Sequence, residues 1–180
     1  MRLLAISGSL RRGSYNSALL DAAAADCPSN VDFVVWRGLA DIPAFNEDLG
    51  TVPPAVAALR REIARSDAVL IATPEYNASV PGALKNALDR VSRPFATNVL
   101  RNKPVAVVGA SEGLFGAVWA QAELRKVLAA IGARVDDREL PVSRAREAFT
   151  AEMRLRDPHL AARLRAIVSD LMHRTASRAA

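Results

Sequence analysis

The sequence predicts an α/β fold in which one parallel sheet has helices on both faces. Short apolar segments alternate with stretches of helical period along the 180 residues, which is the pattern of repeated strand-helix units. Two of the apolar segments are nearly continuous in β-branched and aliphatic residues, as are strands buried on both faces. The predicted architecture is a five-stranded, doubly wound sheet of strand order 2-1-3-4-5.

The apolar segments define the strands of this sheet. They cover residues 2–6, 31–36, 67–73, 104–109 and, more weakly, 133–140. The third, "DAVLIAT", and the fourth, "PVAVVG", carry the nearly continuous apolar character. Five strand-helix units in a chain of this length fit a flavodoxin-like sheet, in which ligands bind beyond the carboxyl ends of the strands where the strand order reverses. We therefore expect the site at the ends of the first, third and fourth strands.

The helices predicted between and after these strands lie near 16–26, 53–66, 82–92, 116–131 and 157–175. The last helix has a clear start, because Asp157 can cap it and Pro158 suits its first turn. Its apolar stripe comprises Leu160, Leu164, Ile167, Val168, Leu171 and Met172. We expect a single domain over 1–175 and a frayed tail over 176–180.

The bulk composition is that of an ordinary globular protein. Hydrophobic residues make up 51% and charged residues 24%, and no apolar run approaches the ~20 residues that span a bilayer. Met1 leads directly into the first strand, which leaves no room for a signal peptide, so we expect a cytoplasmic protein without a membrane partner. The single cysteine excludes an internal disulfide, and we expect no metal site.

The net charge of +5 favours an anionic ligand. Nucleic acid is not the expected partner, since aromatic residues make up only 5% and no nucleic-acid-binding motif is present. A small phosphorylated ligand explains the sign of the charge equally well.

A polar loop, "SGSLRRGSYN", follows the first strand and leads into the first helix. Gly8 and Gly13 have the spacing of a Walker A loop. Ser14 and Tyr15 stand where that motif needs lysine and then serine or threonine, so triphosphate hydrolysis is not expected. The dinucleotide fingerprint is also absent, because the glycine spacing is wrong. The loop is therefore not a pyrophosphate cradle.

The same loop suits a terminal phosphate monoester. Ser9 and Ser14 can donate hydroxyl hydrogens, and Arg11 or Arg12 can fork two phosphate oxygens. Asn16 can cap the helix or donate its amide, while the first-turn N–H groups face the ligand. The structural alternative is an ordinary turn in which Ser14 or Asn16 only caps the helix.

A second loop, "TPEYNASVPG", follows the third strand. Its centre is Glu75-Tyr76-Asn77, and Pro74 and Pro81 stiffen it on either side. A planar heteroaromatic with carbonyl and imide edges needs such a rigid, hydrogen-bonding wall. The alternative is a proline-bounded connection with a structural tyrosine.

The two loop motifs, in this order and each after the expected strand, resemble the NADPH-dependent FMN reductases, which include soluble quinone and chromate reductases. The stretches "DIPAFNEDL" (41–49) and "GASEGLFGAVWAQAELRKVL" (109–128) extend the resemblance over most of residues 3–130. It implies a flavodoxin-like three-layer fold with FMN bound non-covalently.

The resemblance also implies the FMN-binding residues. In that family the first loop holds the phosphate, which carries over to Ser9, Arg11, Ser14 and Asn16. The proline-bounded loop lines the isoalloxazine, which carries over to Pro74, Glu75, Tyr76 and Asn77. The loop after the fourth strand closes on the flavin, here with Ser111 and Gly113.

For activity, the resemblance implies hydride transfer from NADPH or NADH to FMN, followed by two-electron transfer to a small acceptor. Quinone, free flavin, azo dye and chromate-like oxidants are all candidate acceptors. Since the flavin carries the chemistry, no catalytic side chain is predicted. The resemblance implies a homodimer or homotetramer, although Arg90 stands where the family often has an aromatic residue in a helix that takes part in dimer packing.

Two other functions stay open on the residues alone. The stretch "GASEG" has the G-x-S-x-G spacing of a hydrolase nucleophile elbow between a strand and a helix. Ser111 would then be the nucleophile, with an acid from Asp136 or Asp157 and a base from His159 or His173. The other alternative is a non-catalytic binding domain of the same flavodoxin-like fold.

Overall fold

Within residues 1–48 and 50–176, which the computed structural model describes, a parallel sheet of six strands forms the centre of the protein. The strands are β1 (Arg2–Ser7), β2 (Asp32–Trp36), β3 (Ala68–Thr73), β4 (Pro104–Ala110), β5 (Arg134–Val135) and β6 (Pro141–Val142). The order along the sheet is β2-β1-β3-β4-β5, and β6 also pairs with β4. The predicted flavodoxin-like α/β fold and its strand order are confirmed.

The helices form one layer on each face of the sheet. They are α1 (Tyr15–Ala25), α2 (Pro54–Arg65), α3 (Gly82–Val91), α4 (Val118–Ala130), α5 (Ala145–Ala148) and α6 (Pro158–Ala176). Successive strand residues point to opposite faces, so Leu3 and Ala5 pack with α1 and α6. Leu4 and Ile6 pack with α2, α3 and α4 on the other face. The sheet and the helices packed on each of its faces form the predicted three layers.

The last helix has the predicted start and the predicted buried stripe. The backbone N–H of His159 donates to Asp157 Oδ1 at 2.8 Å, as a capping aspartate requires. Leu164, Ile167, Val168 and Leu171 are buried, while Leu160 and Met172 pack partly buried beside them. Ala176 ends the helix, and the rest of the predicted tail, 177–180, lies outside the described residues. No helix in the described part of the chain is long and apolar enough to cross a membrane.

The weak fifth strand predicted within 133–140 is present but short, since it covers only Arg134–Val135. A sixth strand follows at Pro141–Val142, and the two short strands pair with opposite ends of β4. The interruption begins at Asp136, whose carboxylate accepts from the backbone N–H of Arg138 at 3.0 Å and from its guanidinium at 2.6 Å. This local turn competes with the strand ladder, and pairing resumes only at Pro141.

The carboxyl ends of β1, β3 and β4 lie side by side. The N–H of Gly8, just after β1, donates to the carbonyl of Ala72 in β3 at 2.8 Å. In β4, a Cβ added at Gly109 would lie 2.9 Å from the carbonyl oxygen of Thr73, so this position has no room for a side chain. The loops that leave these three strands therefore converge at one edge of the sheet.

Candidate active site

A cleft of about 260 Å³ opens where these three loops converge. Its walls come from the loops after β1, β3 and β4. The residues that line it are Ser9, Arg11, Ser14, Tyr15, Asn16, Pro74, Glu75, Tyr76, Ala110, Ser111 and Glu112. The structure thus brings together all the predicted site residues except Asn77 and Gly113, at the switch point of the strand order where such folds bind ligands.

Ser9 and Ser14 both accept hydrogen bonds from backbone N–H groups two or three residues further along the chain. Ser14 is the N-cap of α1, and its Oγ accepts from the backbone N–H groups of Asn16 at 3.2 Å and Ser17 at 3.4 Å. Ser9 Oγ accepts from the N–H of Arg11 at 3.3 Å. Because both oxygens act as acceptors in these bonds, each hydroxyl hydrogen is still available to donate to an anion.

Arg11, rather than Arg12, is the arginine that lines the cleft. Its guanidinium lies 5.3 Å from the centre of the Tyr15 ring, and that ring packs against Phe149 at 5.4 Å. The cation–π contact holds the charge beside the cleft. Among the described residues no carboxylate forms an ion pair with Arg11, and the first turn of α1 carries no acidic side chain. The end of the cleft beside Arg11 therefore has a positive potential.

Asn16 locks the first loop to β4. Its side chain is only 3% exposed, its Nδ2 donates to the carbonyl of Ala110 at 2.9 Å, and its Oδ1 accepts from the N–H of Ala110 at 2.9 Å. The capping role considered for Asn16 belongs to Ser14 instead. Since buried amides need partners, this reciprocal pair fixes the distance between two walls of the cleft.

The loop after β3 forms a tight hairpin at its tip. The backbone groups of Tyr76 and Ser79 exchange two hydrogen bonds of 3.1 Å. Asn77 and Ala78, between them, have φ values of 54° and 60°, as in the type I′ turns that join antiparallel strands. Tyr76 is half exposed at the mouth of the cleft, whereas Asn77 occupies the turn and lies outside the lining.

Glu75 caps a helix that begins far away in the chain. Its Oε2 accepts from the backbone N–H groups of Trp119 and Ala120, both at 3.0 Å. The N-cap position of α4 is Ala117, which has a φ of 62° and no side chain able to cap. A carboxylate at a helix N-terminus also interacts favourably with the helix dipole. Glu75 therefore holds the second loop against α4 as well as lining the cleft.

The capping role gives a stability prediction for Glu75. Replacing it with alanine should lower the free energy of unfolding by about 1–2 kcal/mol, because two N–H groups lose their acceptor. Replacing it with glutamine should have a smaller effect, since the amide oxygen still accepts. Urea unfolding followed by circular dichroism measures both. The control is Glu112→Ala, at an exposed glutamate on the same cleft, and an equal loss in that variant would contradict the capping role.

The third loop does not assemble the groups of a serine hydrolase. Ser111 Oγ accepts from the N–H of Gly113 at 3.2 Å, and Gly113 itself lies outside the lining of the cleft. His159 and His173 are exposed on α6, and within the described ranges no hydrogen bond joins either of them to Ser111. Asp136 binds arginines instead of a histidine. The base that a nucleophilic serine requires is therefore missing from the neighbourhood of Ser111.

The comparison with known proteins decides the class of the protein. Residues 1–147 match the family model of the NADPH-dependent FMN reductases. The chain belongs to this family. The predicted family is confirmed, and so is the predicted enzyme class, an FMN-dependent NAD(P)H oxidoreductase of the FMN reductase family. The hydrolase alternative finds no support in these matches.

Individual FMN reductases and quinone reductases are similar to this chain over most of their length. The chain is 43% identical over 160 residues to an NAD(P)H-dependent FMN reductase of Pseudomonas aeruginosa, covering 87% of this chain and 85% of the relative. It is 45% identical over 132 residues to a 2-hydroxy-1,4-benzoquinone reductase of a Burkholderia species, covering 72% and 70%. Among solved structures, the flavoenzyme NAD(P)H:(acceptor) oxidoreductase FerB of Paracoccus denitrificans superposes with a TM-score of 0.85 at 33% identity, covering 98% and 97%.

Proposed function

We propose that this member of the FMN reductase family binds FMN in the cleft and passes electrons from NAD(P)H to a quinone. One observation carries the proposal: the two loops that hold the sequence motifs, separated by more than a whole strand-helix unit, line the same cleft at the carboxyl edge of the sheet. A cavity at this edge is where an α/β sheet of this order accommodates a nucleotide-like ligand.

The phosphate subsite consists of Ser9, Arg11, Ser14 and Asn16. Arg11 supplies the charge and a planar fork of donors, and the two serine hydroxyls supply further donors. Asn16 acts by positioning, because its amide holds the loop against Ala110. A dianionic phosphate thus meets a positive, donor-rich end of the cleft.

The isoalloxazine subsite consists of the second and third loops. Pro74, Glu75 and Tyr76 form one wall and Ser111 forms the other. We place Asn77 and Gly113 at the rim, since each neighbours a lining residue in its loop. When bound, FMN accepts a hydride and delivers two electrons, chemistry that no side chain of the chain supplies. The residues of the cleft bind and orient it.

The acceptor proposed is a quinone. Its support comes from the similar 2-hydroxy-1,4-benzoquinone reductase and from a Pseudomonas putida quinone reductase that is 43% identical over 125 residues, 68% of this chain and 67% of the relative. The half-exposed Tyr76 leaves an apolar, planar surface at the mouth of the cleft that suits a flat acceptor. We propose that free flavin, azo dyes and chromate-like oxidants use the same open face.

We also propose a homodimer or homotetramer that acts in the cytoplasm, with residues 1–175 as one domain. An exposed apolar patch beside the cleft supports the assembly: Phe115 and Trp119 pack edge to face with ring centres 4.8 Å apart and, with Leu114, are each about half exposed or more. Patches of this kind mark interaction sites in soluble proteins. Trp119 adjoins Glu75 through its backbone N–H, so a second copy on this patch would lie next to the cleft.

The test is the visible spectrum of the protein after it has been mixed with FMN and desalted. We expect retained bands near ~450 and ~370 nm that bleach when NADPH is added anaerobically and return when benzoquinone follows. A protein that stays colourless and leaves NADPH unoxidised would contradict the proposal. A bleached flavin that benzoquinone does not reoxidise would refute only the quinone acceptor.

A further inference from the structure

A second cavity, of about 370 Å³, lies between α2, the end of α3 and the residues 45–47 and 50–52. It shares no lining residue with the FMN cleft. Its lining combines apolar groups, among them Val52, Val56 and Pro94, with three guanidinium groups. A volume of this size falls within the about 300–1,000 Å³ that is typical of small-molecule sites.

Arg90 forms the inner end of this cavity and carries a buried charge. Its side chain is only 6% exposed. It donates to the carbonyls of Pro43 at 3.2 Å and Asn46 at 3.4 Å, and also to that of Ala44. Every one of these acceptors is neutral, and no carboxylate of the described residues forms an ion pair with Arg90. A buried cation without a counter-charge is unusual, so the cavity favours an anion.

Arg60 adds a second guanidinium to the lining of the cavity. Its Nη2 donates to the backbone carbonyl of Arg90 at 2.8 Å. Its Nε is buried and has no acceptor among the residues that the structure describes. Burial lowers the pKa of the Arg60 guanidinium, and repulsion from the charge of Arg90 lowers it further. An anion in the cavity that accepts from the guanidinium of Arg60 would offset this repulsion.

Phe45 and Arg93 complete the outer part of the cavity. The guanidiniums of Arg90 and Arg93 lie 5.5 Å and 5.2 Å from the centre of the Phe45 ring. Arg93 also pairs with Glu47 at 3.3 Å, on the exposed side. Glu47 is the one carboxylate in the lining, so the three arginines leave the cavity with a formal charge of +2. This charge stands next to an aromatic and aliphatic wall.

We propose that this cavity binds a small organic carboxylate whose apolar ring fills the space beside Phe45, Val52 and Val56. The carboxylate accepts from the guanidiniums of Arg60 and Arg93, whose planar forks match its two oxygens. The apolar walls distinguish this ligand from a free phosphate, which would leave them unused. The inference concerns a site separate from the FMN cleft and does not depend on the proposed reductase function.

The experiment is isothermal titration calorimetry with naphthoate as the probe and naphthamide as its neutral isostere. We expect naphthoate to bind at least about tenfold more tightly than naphthamide, because charge-assisted hydrogen bonds depend on the carboxylate. Arg60→Gln and Arg93→Gln should each weaken naphthoate binding about tenfold. Arg61→Gln, one position along α2 on an exposed side chain, should leave it within about twofold.

Two further measurements locate the probe. The titrations are repeated with saturating FMN, and the naphthoate affinity should not change; displacement by FMN would place the probe in the cleft and overturn the inference. Equal binding of naphthoate and naphthamide, or equal effects of Arg60→Gln and Arg61→Gln, would also overturn it.

Sedimentation velocity tests whether a carboxylate of a second copy of the chain occupies the cavity. Self-association that Arg60→Gln abolishes would mean that the cavity is an interface between two copies, which would overturn the inference. Because Arg93 is half exposed, Arg93→Gln tests the site even where Arg60→Gln fails to fold.

Discussion

Replacing Arg11 with glutamine should weaken FMN binding by about ten- to a hundredfold and leave riboflavin binding nearly unchanged. The charge-assisted hydrogen bonds from a guanidinium to a phosphate contribute about 1.5–3 kcal/mol, and about 1.4 kcal/mol corresponds to a factor of ten. Riboflavin has the same ring system but no phosphate, so it does not use this subsite. Titrations that follow the quenching of flavin fluorescence give both dissociation constants.

Arg12 provides the matched control for this prediction. It is the next residue in the same loop but does not line the cleft, so Arg12→Gln should change the FMN dissociation constant by less than about threefold. Arg11→Lys should fall between the wild type and Arg11→Gln, because it keeps the charge and loses the planar fork. If Arg11→Gln weakens FMN and riboflavin equally, the phosphate subsite is elsewhere in the protein.

The sequence is sufficient to predict those parts of the site that depend on local order. The strand-loop-helix pattern puts Ser14 at the N-terminus of α1, and the capping bonds of Ser14 follow from neighbours within three residues. The convergence of the loops follows from the parallel strand order. The strand pattern and the two motifs therefore predict a cleft at this edge before any side-chain contact is known.

Contacts between segments that are far apart in the sequence cannot be predicted in this way. Asn16 looks like a capping residue in its local sequence, and only the fold brings Ala110 to its amide. Glu75 caps α4 because the N-cap residue of that helix, Ala117, has no side chain that can cap it. The left-handed backbone conformation of Ala117 cannot be predicted from the presence of an alanine. Arg90 stands where the family resemblance predicts an aromatic residue. Its guanidinium donates hydrogen bonds to the carbonyls of Pro43 and Asn46.

The buried carboxylate of Asp136 explains why β5 ends after two residues. Asp136 is 1% exposed, and its carboxylate binds the guanidinium of Arg138 at 2.6 Å and that of Arg174 at 3.5 Å. Arg138 also pairs with Asp170. These contacts tie the edge of the sheet to α6. The hydrogen bond from Arg138 is the largest of the effects that lower the pKa of Asp136, and it outweighs the burial that would raise it.

Asp136→Asn should therefore destabilise the protein at neutral pH by about 2 kcal/mol, since the arginines lose their buried partner while remaining partly hydrated. The pKa of Asp136 is lower in the folded than in the unfolded state. Its contribution is thus complete above the unfolded value of about 3.9 and is lost as the pH falls through the folded value. The difference between wild type and Asp136→Asn should be constant between about pH 5 and 8 and shrink below about pH 4.

Urea unfolding at several pH values measures this difference, and Asp26→Asn provides its control. Asp26 pairs with Arg165 at 3.0 Å, but both side chains are at least 40% exposed, so solvent screens the pair and the variant should change the stability by less than about 1 kcal/mol. Both substitutions remove one negative charge from a protein of net charge +5, so any effect of overall charge is common to them. A loss in Asp136→Asn that equals the loss in Asp26→Asn, or that grows on acidification, would mean that the buried carboxylate does not hold the sheet edge to α6.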